Sequence, residues 1–411
     1  MKNIPVNVSS FRELKEHGYY FVDKTRMIEE LLHNGGFVDM LIRPSGFGKS
    51  VNLSMLVEFF DITKNSEDLF KDTYIAGTDC YGEMNKWPVI YLSFQDVKGS
   101  KEEIIGAVRK EILREYRRYD DVVKKLDQYN YINRTIRALE SDELDDPTWV
   151  AISFSLMKLT EILAEYYGRN TIVLIDDYDV PHIACENSNC FDELGNLLDS
   201  ILESSLKGNN SLHKAFLMGT HRAAAPRSRG GLNNVVVDTI LINSFDTCFG
   251  FTEKETKDFL ESYGLVCTDQ LREMYGGYHI NDNLYYRPDS IVKYMENRKF
   301  CVYGIEESHR ELVKDRLRHA LYQNKYSESY EHHVQELMDH KHILNRPDLR
   351  DDYFENTDDY KLKTVLVNEG YLAVKERVGF KSQMVALVNQ EMYEDFSKIL
   401  KELKEEQAKN Q

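Results

Sequence analysis

The chain has 411 residues, 42% of them hydrophobic and 29% charged, which is ordinary for a soluble globular protein and long enough for about two to three domains. A formal net charge of −17 counts against a broad electrostatic footprint for nucleic acid and leaves room only for a local basic groove. No run approaches the ~18 apolar residues of a membrane span, and the start lacks the apolar core of a signal peptide. Six cysteines scattered through so long a chain fit reduced thiols, so a cytoplasmic protein without a membrane partner is expected.

In chain order, Ser10-Phe-Arg-Glu13 has the form of a capping box, opening a short helix that Gly18 ends. The aromatic stretch Tyr19–Thr25 would pack either near a bound base or against a sheet, and Met27–Leu32 has helical character. Next comes Phe37-Val-Asp-Met-Leu-Ile-Arg-Pro-Ser-Gly-Phe-Gly-Lys-Ser50, an apolar run, a Pro/Gly-rich turn and then Gly-Lys-Ser at the head of an apolar-periodic segment. That is the strand–loop–helix of a phosphate-binding P-loop. Backbone N–H groups of residues 43–51 and the positive helix end would face phosphates, with Arg43, Gly46, Phe47, Gly48, Lys49, Ser50 and Val51 as the binding set. Lys49 would reach the β- and γ-phosphates of ATP, and the Ser50 hydroxyl would help hold Mg²⁺. Arg43 stands where the usual signature has its first glycine.

Val51, Met55 and Phe59 fall on one stripe, so the following helix should pack one-sidedly on a sheet. Val89–Phe94 reads as a strand, and residues 96–168 as charged helices with a solvated face. Thr171-Ile-Val-Leu-Ile-Asp-Asp-Tyr-Asp179 reads as a strand buried on both faces and ending in acids, the form of a Walker B element. Carboxylates at a central strand's C-terminal end point into the ligand crevice of an α/β sheet. Asp176 would hold Mg²⁺, and Asp177 occupies the place of a water-activating acid. Lys214–Thr220 is a further buried strand, and Val235–Ile240 a last short one. Five strands with the loop after the first and the acids after the third match P-loop NTPases with an extra strand between the two. The fourth strand then ends at the γ-phosphate, making Thr220 and Arg222 sensor candidates. Arg227 and Arg229 fit a solvent-exposed basic loop equally well.

A second capping box, Thr252 to Glu255, starts a helical region; Tyr275–His279 and Tyr285–Ile291 read as turn-rich pieces between helices. From 301 on the chain is mostly helical, with a hairpin around Tyr371–Lys381 and a charged, frayed tail over 401–411. The expected organisation is an ATPase domain over 1–245, a helical lid over 246–300 and a helical C-terminal region over 301–411. His182, Cys185 and Cys190 lie close together, but three metal-capable residues without a fourth are a weak zinc pattern.

With these residues in hand, the chain resembles the AAA-ATPase-like family, whose longer members carry a C-terminal PD-(D/E)XK nuclease domain. The matching pieces are Tyr20–Thr25, Arg43–Ser50, Val89–Asp96, Leu174–Asp179, Gly231–Asn234 and Phe249–Glu255. The resemblance implies an α/β P-loop NTPase with a mostly parallel five-stranded sheet, ATP and Mg²⁺ as cofactors, and ATPase activity; self-association is an open state, and nucleic acid is disfavoured by the acidic charge. Arginine at position 43 belongs to that family's pattern. Three features depart from it. Ser45-Gly46 stand where two basic residues are usual. Asp177 replaces the usual glutamate, which withdraws its carboxylate by ~1.5 Å. Nothing after Tyr371 supplies a nuclease core.

Overall fold

The computed structural model describes residues 2–126, 131–141, 146–185, 191–223, 234–240, 245–280, 283–324, 327–345, 359–378 and 382–410. The chain divides into two compact units, one built from residues 28–41 and 52–238, the other from 1–27, 42–51 and 239–411.

The first unit is organised on a sheet of five strands, β1 (Val38–Ile42), β2 (Val89–Ser93), β3 (Thr171–Asp176), β4 (Leu212–Gly219) and β5 (Val235–Asp238). They lie in the order β2-β3-β4-β1-β5 and run parallel, flanked by helices. Every residue of β1 and β3 is buried, which is why both read as continuous apolar runs instead of alternating ones. Strand β4 lies between β1 and β3, as expected for a P-loop sheet with one strand inserted between its phosphate-loop and acidic strands. The one polar residue inside β1, Asp39, accepts from Asn34 Nδ2 at 2.7 Å, and burial pushes its carboxyl up to about 6 against the pull of Lys214.

Two expectations for this unit need correction. The helix Lys49–Phe60 is not one-sided: Leu53, Asn52 and Glu58 are buried along with Met55 and Phe59. Residues 61–88 wrap its outer face, where Lys64 Nζ and Ser66 Oγ hold Glu58 at 2.8 and 3.0 Å, and Phe70 meets Phe59 edge-on. Nor is the charged helix Lys101–Arg118 merely a solvated face. Strand β2 is a sheet edge, and this helix satisfies its outward backbone. Tyr91 N donates to Glu115 at 3.1 Å and Ser93 N to Glu111 at 3.4 Å; Arg114 donates to Tyr91 O at 3.0 Å, and Arg118 to Val89 O. The Tyr119 hydroxyl, just past the helix, serves both polar groups of Val89. An edge so covered offers no ladder to another chain. Glu115, 2% exposed, also pairs with Arg118 at 2.7 Å. Glu115→Ala should therefore cost about 1–3 kcal/mol in chemical denaturation, because it leaves the part-buried Tyr91 N–H without its acceptor while Arg118 keeps only Asp61 and Val89 O, and Glu115→Gln should cost less.

In the second unit, β6 (Phe251–Thr252), β7 (Tyr278–Ile280) and β8 (Asn283–Tyr286) form an antiparallel sheet in the order β6-β8-β7. The pieces read as turn-rich are thus a hairpin, too short and too rich in Tyr and Asn to show a clear alternation. The capping box at Thr252 forms both of its bonds. Its Glu255 also receives Lys24 Nζ at 2.7 Å, while Lys24 reaches Thr247 O at 2.9 Å, and Tyr20 stacks on Phe259 at 4.4 Å. The aromatic segment 19–25 therefore packs on the helix Glu253–Glu261.

Farther on, helices Glu307–Tyr322 and Ser327–Met338, strand β9 (Ile343–Asn345), helix Asp359–Asn368, and strands β10 (Leu372–Val378) and β11 (Ser382–Leu387) follow one another. The three strands form a sheet in the order β10-β11-β9. The expected hairpin is β10–β11; its third strand, β9, was not expected. The tail is not frayed: helix Gln390–Asn410 runs on with Leu403 buried, zippered to the helix Glu307–Tyr322. Arg310 pairs with Asp395 and Glu402, Lys314 with Glu402 and Glu406, and Arg318 with Glu406, all at 2.8–3.2 Å. Steps of four along the first helix, and of seven and then four along the second, keep these partners on facing sides.

Candidate functional site

The loop after β1 is clamped by its own unit. Gly46 and Gly48 adopt φ of +76° and +83°, conformations that side-chain-bearing residues rarely take. Lys49 folds back across the loop, its Nζ donating to Arg43 O at 3.0 Å and Pro44 O at 3.3 Å, so the ammonium closes the turn that its own helix opens. Arg43 donates to Ile42 O at 2.9 Å and lies over the Phe249 ring at 4.8 Å. The guanidinium thus rests on an aromatic face while it stays beside the loop. Phe47, 1% exposed, meets Tyr278 edge-on at 4.9 Å and accepts from Gly250 N at 3.2 Å through its carbonyl. Gly46 O accepts from Asp289 N at 3.4 Å. A Cβ at Gly370 would come within 3.2 Å of Pro44 Cβ, so the loop is held on that side as well.

Ser50 and Val51 lie in the first turn of the helix Lys49–Phe60, with Ser50 half-buried. The binding set read from the sequence is thus gathered in one loop and helix start. Arg43 and Lys49 are 2% and 7% exposed, and Arg287, 2% exposed, abuts Gly46. A convergence of buried cations on glycines in left-handed conformations fits an anionic ligand such as a nucleotide phosphate.

Asp176, Asp177, Thr220 and Arg222 belong to the other unit, at the C-terminal ends of the neighbouring strands β3 and β4. Asp176 closes β3, 2% exposed, in register with Ser93. Asp177 turns the chain at φ +51°, which aspartate tolerates better than most side chains. Tyr91 stands near both acids, and burial followed by the Asp176 charge raises its phenol.

Two residues not singled out as site candidates join the strand ends. Asp179 Oδ2 accepts from Thr220 N at 3.0 Å and His221 N at 2.7 Å, and the Tyr178 hydroxyl donates to His221 O at 2.6 Å. The sequence signal was the run of acids after β3, of which the third is a latch. Arg222 is half-buried. Arg227, Arg229 and the Gly231–Asn233 stretch lie outside the described residues, as does Cys190. His182 pairs with Asp199 at 3.1 Å, and among the described residues no group of three His, Cys, Asp or Glu could hold a metal ion. Among the same residues no helix is long and apolar enough to cross a membrane.

Fold and sheet order define an α/β P-loop NTPase-like protein with a mainly helical C-terminal region. A family model described as predicted AAA-ATPase matches residues 5–226, more than half of the chain, and the protein belongs to this AAA-ATPase-like family. It is also similar to an uncharacterised protein from the vnfD 5′ region of Azotobacter chroococcum mcd 1, with 25% identity over 319 residues. That match covers 74% of this chain and 54% of the relative, so the chain spans about half of the relative's length.

Proposed function

We propose that the protein binds ATP with Mg²⁺ at the loop 43–50 and hydrolyses it slowly. The observation that carries this reading is the loop itself, where Lys49 is braced by the carbonyls of Arg43 and Pro44 above two glycines in left-handed conformations. Membership of a family of predicted AAA-ATPases supports it. Lys49 clamps the β- and γ-phosphates; Arg43, Gly46, Phe47, Gly48 and Val51 frame them; Ser50 and Asp176 hold the metal. Mg²⁺ held by Ser50 and Asp176 would supply positive charge to offset the charge that develops on the transferring group. Asp177 orients the attacking water and takes up its proton, and Thr220 and Arg222 hold the γ-phosphate.

Isothermal titration of wild type and Lys49→Ala tests the site. ATP should bind the wild type, and the variant should bind roughly 10–100-fold more weakly, as expected for one charge-assisted contact. A wild type that takes up no ATP ends this proposal.

A second reading, a nucleotide-gated interaction module with negligible turnover, is favoured by the short acid at Asp177. A nucleic-acid role is not. The formal net charge of −17 counts against it.

A further inference from the structure

Arg287 is the N-cap residue of the helix Pro288–Asn297, and its side chain makes no capping bond. A cation there is the wrong charge for stability, because the helix dipole places positive potential at that end. Burial makes the position costlier still. The guanidinium is 2% exposed, and only Nη2 is satisfied, by Gly304 O and by Asp289 Oδ2 at 3.2 Å; Nε and Nη1 are buried and meet no acceptor among the described residues. Asp289 is shared with Lys293 at 2.8 Å. The other nearby carboxylate, Glu391, spends its oxygens on Ser290 Oγ, Tyr303 N and Gly304 N at 2.7–3.2 Å.

The unsatisfied edge points in an informative direction. A Cβ built on Gly46 would come within 2.5 Å of Arg287 Nε, so the guanidinium lies against the phosphate loop at a place that only glycine permits. A buried arginine with two idle N–H groups is expensive in a folded protein unless an anion completes it. The loop it touches already holds Arg43 and Lys49 buried, and the carboxylates that face Arg287, Asp289 (shared with Lys293) and Glu391, leave its Nε and Nη1 without an acceptor among the described residues.

We propose that Arg287 donates through Nε and Nη1 to the phosphate oxygens of the nucleoside di- or triphosphate held by the loop 43–50, a cation supplied from a helix more than two hundred residues downstream. This rests on the loop being the ATP site. Because Glu391 of the helix Gln390–Asn410 holds Ser290 and the 303–304 turn around the same guanidinium, the last helix buttresses the phosphate contact.

The test uses the full chain, with ATP and ADP titrated into wild type, Arg287→Met and Arg287→Lys, and unliganded melting temperatures measured in parallel. Arg287→Met removes a buried unsatisfied charge, so its unliganded melting temperature should stay at or above the wild-type value while its affinity for ATP falls at least tenfold. Arg287→Lys keeps a point charge without the fork and should fall between the two. The split between unchanged stability and lost affinity is what a structural arginine would not give. If wild type binds ATP and both variants bind within twofold of it, Arg287 is not a ligand and the inference fails. Should Arg287→Met not fold, Arg287→Lys decides: an affinity within twofold of wild type overturns the inference, and a loss of fivefold or more upholds it. A wild type that does not bind ATP fails the site reading beneath, and this inference with it.

Discussion

Asp177→Asn is expected to leave ATP binding within about threefold of wild type and to lower the rate of phosphate release by at least ~100-fold, the range for loss of a positioned general base. The substitution isolates charge from backbone. Asp177 sits at φ +51°, where Asn is as comfortable as Asp, so the turn after β3 should survive. An unchanged rate would remove Asp177 from the reaction. Asp177→Glu asks the complementary question. It extends the carboxylate by ~1.5 Å but puts a longer side chain in a left-handed conformation, so its rate must be compared at equal folded fraction. A faster Glu variant means that the short acid holds its water too far from the line of attack and turnover is slow for geometric reasons. A slower one means that the site is built around aspartate, and the second reading, a gate with little turnover, loses its motive.

What could be read from the sequence was whatever depends on neighbours in sequence. The run Ile172–Ile175 is apolar along its whole length because both faces of β3 are covered, and Gly46, Gly48, Lys49 and Ser50 carry the loop's backbone requirements in their own chemistry. What escaped was set by partners far away. Glu58, Glu115 and Arg118 look like surface residues until Lys64, the backbone of β2 and Asp61 are brought to them. Glu402 and Glu406 look like a fraying tail until Arg310, Lys314 and Arg318 come alongside from about 90 residues earlier in the chain. Arg287, ahead of a proline, reads as a turn; only burial against Gly46 gives it another meaning. Tyr178 and Asp179 were visible as part of an acidic motif, but the split of labour within it was not. Two of the three acids close to the end of β3 are candidates for chemistry, and the third holds the strands.

That third acid carries the largest expected loss of stability. Asp179, 1% exposed, accepts two backbone N–H groups from the end of β4 through one oxygen. Asp179→Ala leaves both donors buried without an acceptor, at about 1–3 kcal/mol each, so a destabilisation of about 2–5 kcal/mol is expected in urea or guanidinium denaturation. Asp179→Asn keeps an acceptor oxygen without the charge and should lose about half as much. The same latch can be opened from its other side. A Cβ on Gly219 would fall 2.5 Å from Asp179 Oδ1 and 2.6 Å from Tyr178 Cε1, so Gly219→Ala must displace the carboxylate that Asp179→Ala deletes and the Tyr178 ring beside it. Because both substitutions act on the Asp179 carboxylate, the double variant should lose less than the sum of the single ones, a coupling that a double-mutant cycle measures directly. Thr220 is the residue the latch positions. At temperatures where the single variants remain folded, phosphate release should therefore fall while ATP affinity, set by the loop 43–50, stays near wild type. Additive losses in the cycle would mean that Gly219 and Asp179 act apart, and unimpaired phosphate release in folded Asp179→Asn would detach Thr220 from the reaction.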